Sequence, residues 1–315
     1  VEQHDITTTD REAWLAWRKL GVGASDAPAI LGLSRWSSPW SVWADKVGLL
    51  PEVEATDYME FGLRAERMIA DWFAERTGHF VTNEQRQIEH PVFRWARATI
   101  DGEVQESADS DLPLGNLEIK TTGPGPEWEF VPADYVAQCR WQQYVGGYER
   151  TWVAVLMGRR LDIHVVERDP DDIAWMAERV AKFWSDHVLT GIPPEVDGSE
   201  ATTAALAAVY GEVDEGSVVD LPPAIEELAA DFVAAKAAVK EAEVECDEIG
   251  NNLRALLGEH EVGLVDGRKV VSWKSQGRTG FDLERLRAEH PQIAEQYQTT
   301  STHRVLRTHL PKEQA

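Results

Sequence analysis

Apolar and polar positions alternate along this chain with two different periods, and each change of period marks a new element. In "GNLEIKTTG" (115–123) apolar Leu117 and Ile119 alternate with Glu118 and Lys120. A period of two predicts a strand, with the apolar pair on one face and the charged pair side by side on the other. "DYMEFGLRAERMIADWFAERTG" (57–78) instead spaces Phe61, Ala65, Met68 and Trp72 as a helix does, with Gly78 as its stop. Short helices are expected over 10–20 and 38–48, and a helix start within "GVGASDAPAILG" (21–32), where Ser25 and Asp26 precede an apolar run with Pro28 in its first turn. "FRWARATIDGEV" (93–104) reads as a strand with a turn after Asp101. A helix over 133–148, a hairpin over 150–169 turning near Gly158 and a helix over 170–191 complete an α/β core closing near 195.

A different pattern follows. Within 221–260, Ile225, Leu228, Phe232, Ala235, Val239, Ala242, Cys246, Ile249, Leu253 and Leu256 are spaced alternately three and four apart. This heptad seam predicts a long helix that pairs with another helix, within the chain or between protomers. Gly250 and the two Asn after it weaken the pattern there. A short hairpin over 262–276 and a tail follow. The expected organisation is a domain over 1–195, a linker over 196–220 and a C-terminal extension over 221–315.

Composition narrows the function. No apolar run approaches the roughly 20 residues of a membrane helix, and the acidic, polar start does not resemble a signal peptide. Only Cys139 and Cys246 occur, far apart, which argues against a disulfide framework, a Cys-rich zinc site or a four-cysteine iron–sulfur cluster. A cytoplasmic protein is expected. The net charge of −24 repels nucleic acid at long range, so a role on DNA needs basic groups gathered in a cleft.

Asp101 precedes Glu118 by 17 residues, and Lys120 follows two later. On adjacent strands, two carboxylates supply hard oxygen ligands for a cation such as Mg²⁺, and the Ile119 carbonyl between Glu118 and Lys120 adds a third. The metal would activate a water, and the lysine would position it or stabilise developing charge on a phosphate. A surface ion pair between Glu118 and Lys120 is the alternative.

Five segments, "WLAWRKLGVGASDAPAILG", "FGLRAERMIADWF", "TIDG", "GNLEIKTT" and "YVAQCRWQQYVGGYERTWVAVL", occur in one order with consistent spacing. Together they resemble the phage lambda exonuclease family, specifically its YqaJ-like viral recombinase branch, over about 10–200. The tail "VSWKSQGRTGFDLERLRAEHP" resembles that branch too. The resemblance implies a restriction-endonuclease-like PD-(D/E)xK core, a central mixed sheet flanked by helices. A C-terminal helical or coiled-coil and small β extension follows it. It implies Mg²⁺-dependent, ATP-independent 5′→3′ digestion of double-stranded DNA, with Mn²⁺ substituting. The absence of a GxxxxGK[ST] segment agrees with ATP independence. Asp101, Glu118, the Ile119 carbonyl and Glu66 are then metal ligands, Lys120 the catalytic lysine and Gln138 a helical glutamine beside the site. Gln142, one turn on, shares its face but is expected as ordinary surface. Arg18 and Ser25 have the family spacing for holding a 5′ phosphate, simple helix capping by Ser25 being the alternative. Lys19, Arg35 and Arg64 are weaker candidates to extend that pocket. Met59 matches an apolar wedge at the end base pair, or is a core methionine. Implied partners are duplex ends, a single-strand annealing protein of the RecT/Bet type and further copies of the chain in a trimeric or tetrameric ring. A restriction-type or structure-specific endonuclease and a noncatalytic DNA-binding or assembly protein remain the rival functions.

Overall fold

The computed structural model describes residues 8–52, 56–110, 112–213, 216–299 and 304–309. The chain divides into two compact units, Val1–Glu212 and Val213–Ala315. In the first, helices α1 (Thr8–Lys19), α2 (Asp26–Ile30), α3 (Pro39–Lys46) and α4 (Asp57–Thr77) precede the strands. Thr56 caps α4 by accepting from the Met59 N–H, and Gly78, at φ 75°, ends it in the left-handed conformation.

Strands β1 (Phe80–Thr82), β2 (Arg86–Glu89), β3 (Arg97–Ile100), β4 (Gly102–Gln105) and β5 (Gly115–Thr122) lead to helix α5 (Ala133–Gly146). The hairpin β6 (Arg150–Met157) and β7 (Arg160–Glu167) and helix α6 (Pro170–Phe183) follow. The central sheet runs in the order β1-β4-β5-β6-β7. β5 and β6 are parallel and the other neighbours antiparallel. A parallel pair needs a crossover, which α5 supplies.

The period-two reading of β5 holds on both faces. Leu117 and Ile119 pack with Ala65, Ile69 and Phe73 of α4, and with Ala154 and Leu156 of β6. Burying each large apolar side chain contributes about 1.5–3 kcal/mol. The opposite face, carrying Asn116, Glu118 and Lys120, meets α5. This mixed sheet between helices, with Asp101 at the β3–β4 junction beside Glu118-Ile119-Lys120 of β5, is the PD-(D/E)xK core.

Four features differ from the pattern-based expectation. The Asp101–Gly102 step is not a turn: β3 pairs with β2 in a separate two-stranded sheet, while β4 joins the central sheet, so the strand changes partners at Asp101. Glycine is required next because a Cβ at Gly102 would lie 2.6 Å from Val81 Cγ1. The helix expected over 170–191 ends as α6 and continues as a π turn over Trp184–Val188. There Trp184 stacks on Trp95, and the His187 carbonyl accepts from Trp43 Nε1 at 3.2 Å.

The stretch expected as a linker contains helix α7 (Glu200–Tyr210). Its Ala205, Leu206 and Val209 pack against Trp40 and Trp43 of α3, and Thr202 donates to Ser38, so this segment belongs to the first unit.

In the second unit, α8 (Ile225–Leu257) runs through Gly250 without a break. Its seam residues Leu228, Val239 and Ile249 are exposed, so no helix covers them among the described residues. β8 (Val262–Val265) and β9 (Arg268–Ser272) form the expected hairpin, followed by α9 (Leu283–Glu289) and α10 (Pro291–Gln296). Among the described residues no helix is long and apolar enough to cross a membrane.

Candidate active site

β5 outruns its neighbour: pairing with β4 ends at Gly102↔Leu117, while pairing with β6 continues to Thr122↔Met157. This leaves the β4-side edge of β5 open from Glu118 onward. Asp101 fills the gap, its Oδ2 accepting from the Ile119 N–H at 2.6 Å. The N–H and C=O of one strand residue point to the same side, so the Ile119 carbonyl shares that edge.

Glu118 is 3% exposed, and both of its carboxylate oxygens are met by side-chain donors. Its Oε1 accepts from Lys120 Nζ and, at 2.7 Å, from Gln138 Nε2. Its Oε2 accepts from Gln142 Nε2 at 2.5 Å. Lys120 also donates to Gln138 Oε1 at 3.1 Å and lies over the Tyr135 ring. Burial alone would lower the Lys120 pKa, but Glu118 and Asp101 reverse this and hold it well above the usual lysine range. The group is an ammonium, not a base.

Glu66 approaches from α4. Burial, then the Glu118 charge, raises its pKa to about 7. Burial, then Glu118 and Glu66, also raises Asp101. Three crowded carboxylates against one ammonium are what a hard, oxygen-seeking divalent cation would relieve. The donor chemistry of Asp101, Glu118, Glu66 and the Ile119 carbonyl fits such an ion. Among the described residues, however, no three His, Cys, Asp or Glu side chains already close on one point. A glutamine amide lies between two of the carboxylates instead: Gln85 Nε2 donates to Glu66 Oε2 at 2.6 Å and to Asp101 Oδ1 at 3.2 Å.

The structure thus brings Asp101, Glu118, Ile119, Lys120, Glu66 and Gln138 together. Two participants escaped the sequence. Gln142, expected at the surface, is fully buried. It links Glu118 to Asn116, whose Nδ2 donates to Gln142 Oε1 at 2.8 Å. The available signal was its i, i+4 relation to Gln138, which puts both amides on the face that meets β5. Gln85, in a polar loop, carries no signal at all. Gln142→Leu should cost about 2–3 kcal/mol in urea unfolding, since it strands a buried carboxylate oxygen and an amide. A loss under about 1 kcal/mol would mean Glu118 finds another donor.

Elsewhere in the first unit, Arg18 lies in the last turn of α1 and Ser25 precedes α2. Ser25 is exposed and makes no side-chain capping bond, so the capping alternative fails. The buried groups here are others. Asp26 accepts from the Gly23 N–H at 2.8 Å and pairs with Lys46 Nζ at 2.6 Å, and Arg18 Nη2 lies 3.7 Å from its Oδ1. Lys46, whose side chain is 0% exposed, also donates to the Arg18 carbonyl at 3.0 Å. Met59 is 54% exposed in the first turn of α4, beside exposed Tyr58 and Phe61, and is no core methionine. Arg35 stacks over exposed Trp36, while Arg64 is solvated beside Glu60.

The fold and the carboxylate–lysine cluster define a protein with a PD-(D/E)xK core. Comparison with known proteins narrows the class. The model of the YqaJ-like viral recombinase domain matches residues 13–149. The chain is 30% identical over 296 residues to the uncharacterized protein YqaJ of Bacillus subtilis (strain 168), covering 90% of each. It belongs to the YqaJ-like viral recombinase family.

Among solved structures, an alkaline exonuclease from Laribacter hongkongensis is 22% identical with a TM-score of 0.46, over 57% of this chain and 94% of that one. A phage related exonuclease from Haemophilus somnus 129PT is 12% identical with a TM-score of 0.40, over 54% and 96%.

Proposed function

We propose that this chain is a Mg²⁺-dependent, ATP-independent 5′→3′ exonuclease that resects double-stranded DNA ends to 3′ single strands for phage-type recombination. The observation that carries this is the convergence of Asp101 and Glu66 on the open edge of β5 beside Glu118, Ile119 and Lys120. Asp101, Glu118, Glu66 and the Ile119 carbonyl would hold the ion. A bound Mg²⁺, or Mn²⁺ in its place, supplies an activated water and offsets phosphate charge.

The remaining work belongs to the chain. Lys120 carries a fixed positive charge, aimed by Glu118 and Gln138, that meets negative charge developing on the scissile phosphate. Gln138 bridges the two by accepting from one and donating to the other. Gln142 keeps the Glu118 carboxylate in one orientation. Exposed Met59 suits a wedge against the terminal base pair, and Arg18 with Ser25 a pocket for the 5′ phosphate.

An acidic exterior and a basic lumen in a ring of copies would reconcile the net charge of −24 with DNA binding. The uncovered α8 seam offers one contact for such a ring. The resulting single strands would pass to an annealing protein, and the cytoplasm, where viral DNA ends arise, is the expected location.

The test is a digestion time course with Mg²⁺ and no ATP. Linear duplexes with 5′-phosphate or 5′-hydroxyl ends are compared with closed circular DNA. Loss of linear duplexes alone, from the 5′ strand and faster with phosphate, is expected. Cutting of the circle would favour an endonuclease, and no cutting by folded protein would favour a noncatalytic role. Arg18→Ala is expected to reduce the phosphate-over-hydroxyl rate ratio about tenfold, since a charged hydrogen bond is worth about 1.5–3 kcal/mol. An unchanged ratio would remove Arg18 from the pocket.

A further inference from the structure

The three-residue loop joining β1 to β2 and the first residue of β2 are tied down by four consecutive side chains. Asn83 Nδ2 donates to Glu103 Oε2 at 2.5 Å, and Glu84 Oε1 accepts from Arg67 Nη1 at 2.5 Å. Gln85 reaches Glu66 and Asp101, and Arg86 Nη1 donates to Glu103 Oε1 at 2.6 Å. Glu103 is buried in β4 and accepts from the Tyr148 hydroxyl as well, at 2.7 Å. One anchored carboxylate therefore holds both flanks of Gln85.

The backbone agrees that the placement is imposed. Gln85 sits at φ 54° and Asn83 at φ 52°, in the left-handed region. A glutamine seldom occupies that region, and it does so only where surrounding contacts offset the cost.

The side chain so placed has two amide protons, and it gives one to each of two carboxylates. Those carboxylates come from different elements, Glu66 from α4 and Asp101 from the β3–β4 junction. Like charges there would otherwise drive them apart. Each ionised carboxylate keeps further lone pairs after accepting one proton, so the bridge leaves both able to ligate.

We propose that Gln85 is a positioning residue of the divalent-metal site, its amide holding Glu66 and Asp101 convergent from a loop that Glu103 anchors. This rests on the metal-site part of the proposed function.

The test is Mg²⁺ binding to the full chain by titration calorimetry without DNA, on wild type, Gln85→Ala and Gln85→Gly. Glycine is the informative variant. It accepts φ 54° freely, so it keeps or improves the loop while deleting the amide. Both variants are expected to bind Mg²⁺ about tenfold more weakly or worse, the usual effect of losing a group that orients metal ligands. The metal-free melting temperature of Gln85→Gly should stay at or above wild type. Wild-type-like affinity in Gln85→Gly, whether or not Gln85→Ala is weakened, would overturn the role of the amide and leave the metal site standing. A wild type that shows no Mg²⁺ binding would overturn the metal site itself, and this role with it.

Discussion

Lys120→Ala is expected to slow phosphodiester cleavage by at least about 10²–10³-fold, the range seen when one preorganised charge stabiliser is removed. Among the described residues its ammonium is the one cation set among the carboxylates of Glu118, Asp101 and Glu66, and, against burial, Glu118 and then Asp101 raise its pKa. The substitution deletes the positive charge facing the phosphate without emptying the site of donors. Glu118 still accepts from Gln138 and Gln142, so the sheet should fold. Single-turnover digestion of a 5′-phosphorylated duplex, beside a melting curve by circular dichroism, measures both. Near-wild-type cleavage by folded Lys120→Ala would end the catalytic assignment and return Glu118–Lys120 to an ordinary ion pair.

Lys46→Met is expected to destabilise the protein by about 3–5 kcal/mol, because it removes the closest partner of a buried carboxylate. Asp26 and Lys46 join α2 to α3, and Lys46 also holds the carbonyl of Arg18 at the end of α1. Burial would raise the Asp26 pKa, but Lys46 and then Arg18 overturn that and lower it. A carboxylate with a depressed folded pKa stabilises above its ordinary range, and that contribution fades as pH falls through the depressed value. Urea unfolding of the wild type should therefore weaken on acidification below about pH 4, more steeply than that of Asp26→Asn/Lys46→Met. The double variant should recover much of the single variant's loss, as a neutral pair leaves no stranded charge. Equal stability of Lys46→Met and wild type would show that Arg18 alone satisfies Asp26.

These two groups show how differently the site and its surroundings were legible. Glu118 and Lys120 stand two apart on one strand, so their shared face followed from alternation alone. Asp26 and Lys46 lie on separate helices, and nothing in the spacing of either announces the other. Gln142 was half legible: its helix and its face were foreseeable, its complete burial was not. Glu118 is buried by the packing of α5 on β5, and only that packing makes Gln142 the donor to its Oε2. Asp-Gly at 101–102 favours a turn by its composition. Here β3 pairs with β2 and β4 with β5, so the dipeptide marks a change of sheet, and the approach of Val81 leaves no room for a Cβ at Gly102.

Local periodicity by itself determined the strand that carries Glu118-Ile119-Lys120, the helix that carries Glu66 and the heptad run of α8, because each is written within a few residues of its own neighbours. Ordered motifs along the chain also indicated the family. Tertiary structure alone decided that β4 stops short and opens the edge of β5, that α7 packs against α3, and that Gln85 stands between Glu66 and Asp101. Each of these depends on groups distant in sequence meeting in space, where burial and unpaired charge, rather than period, determine which partners a residue takes.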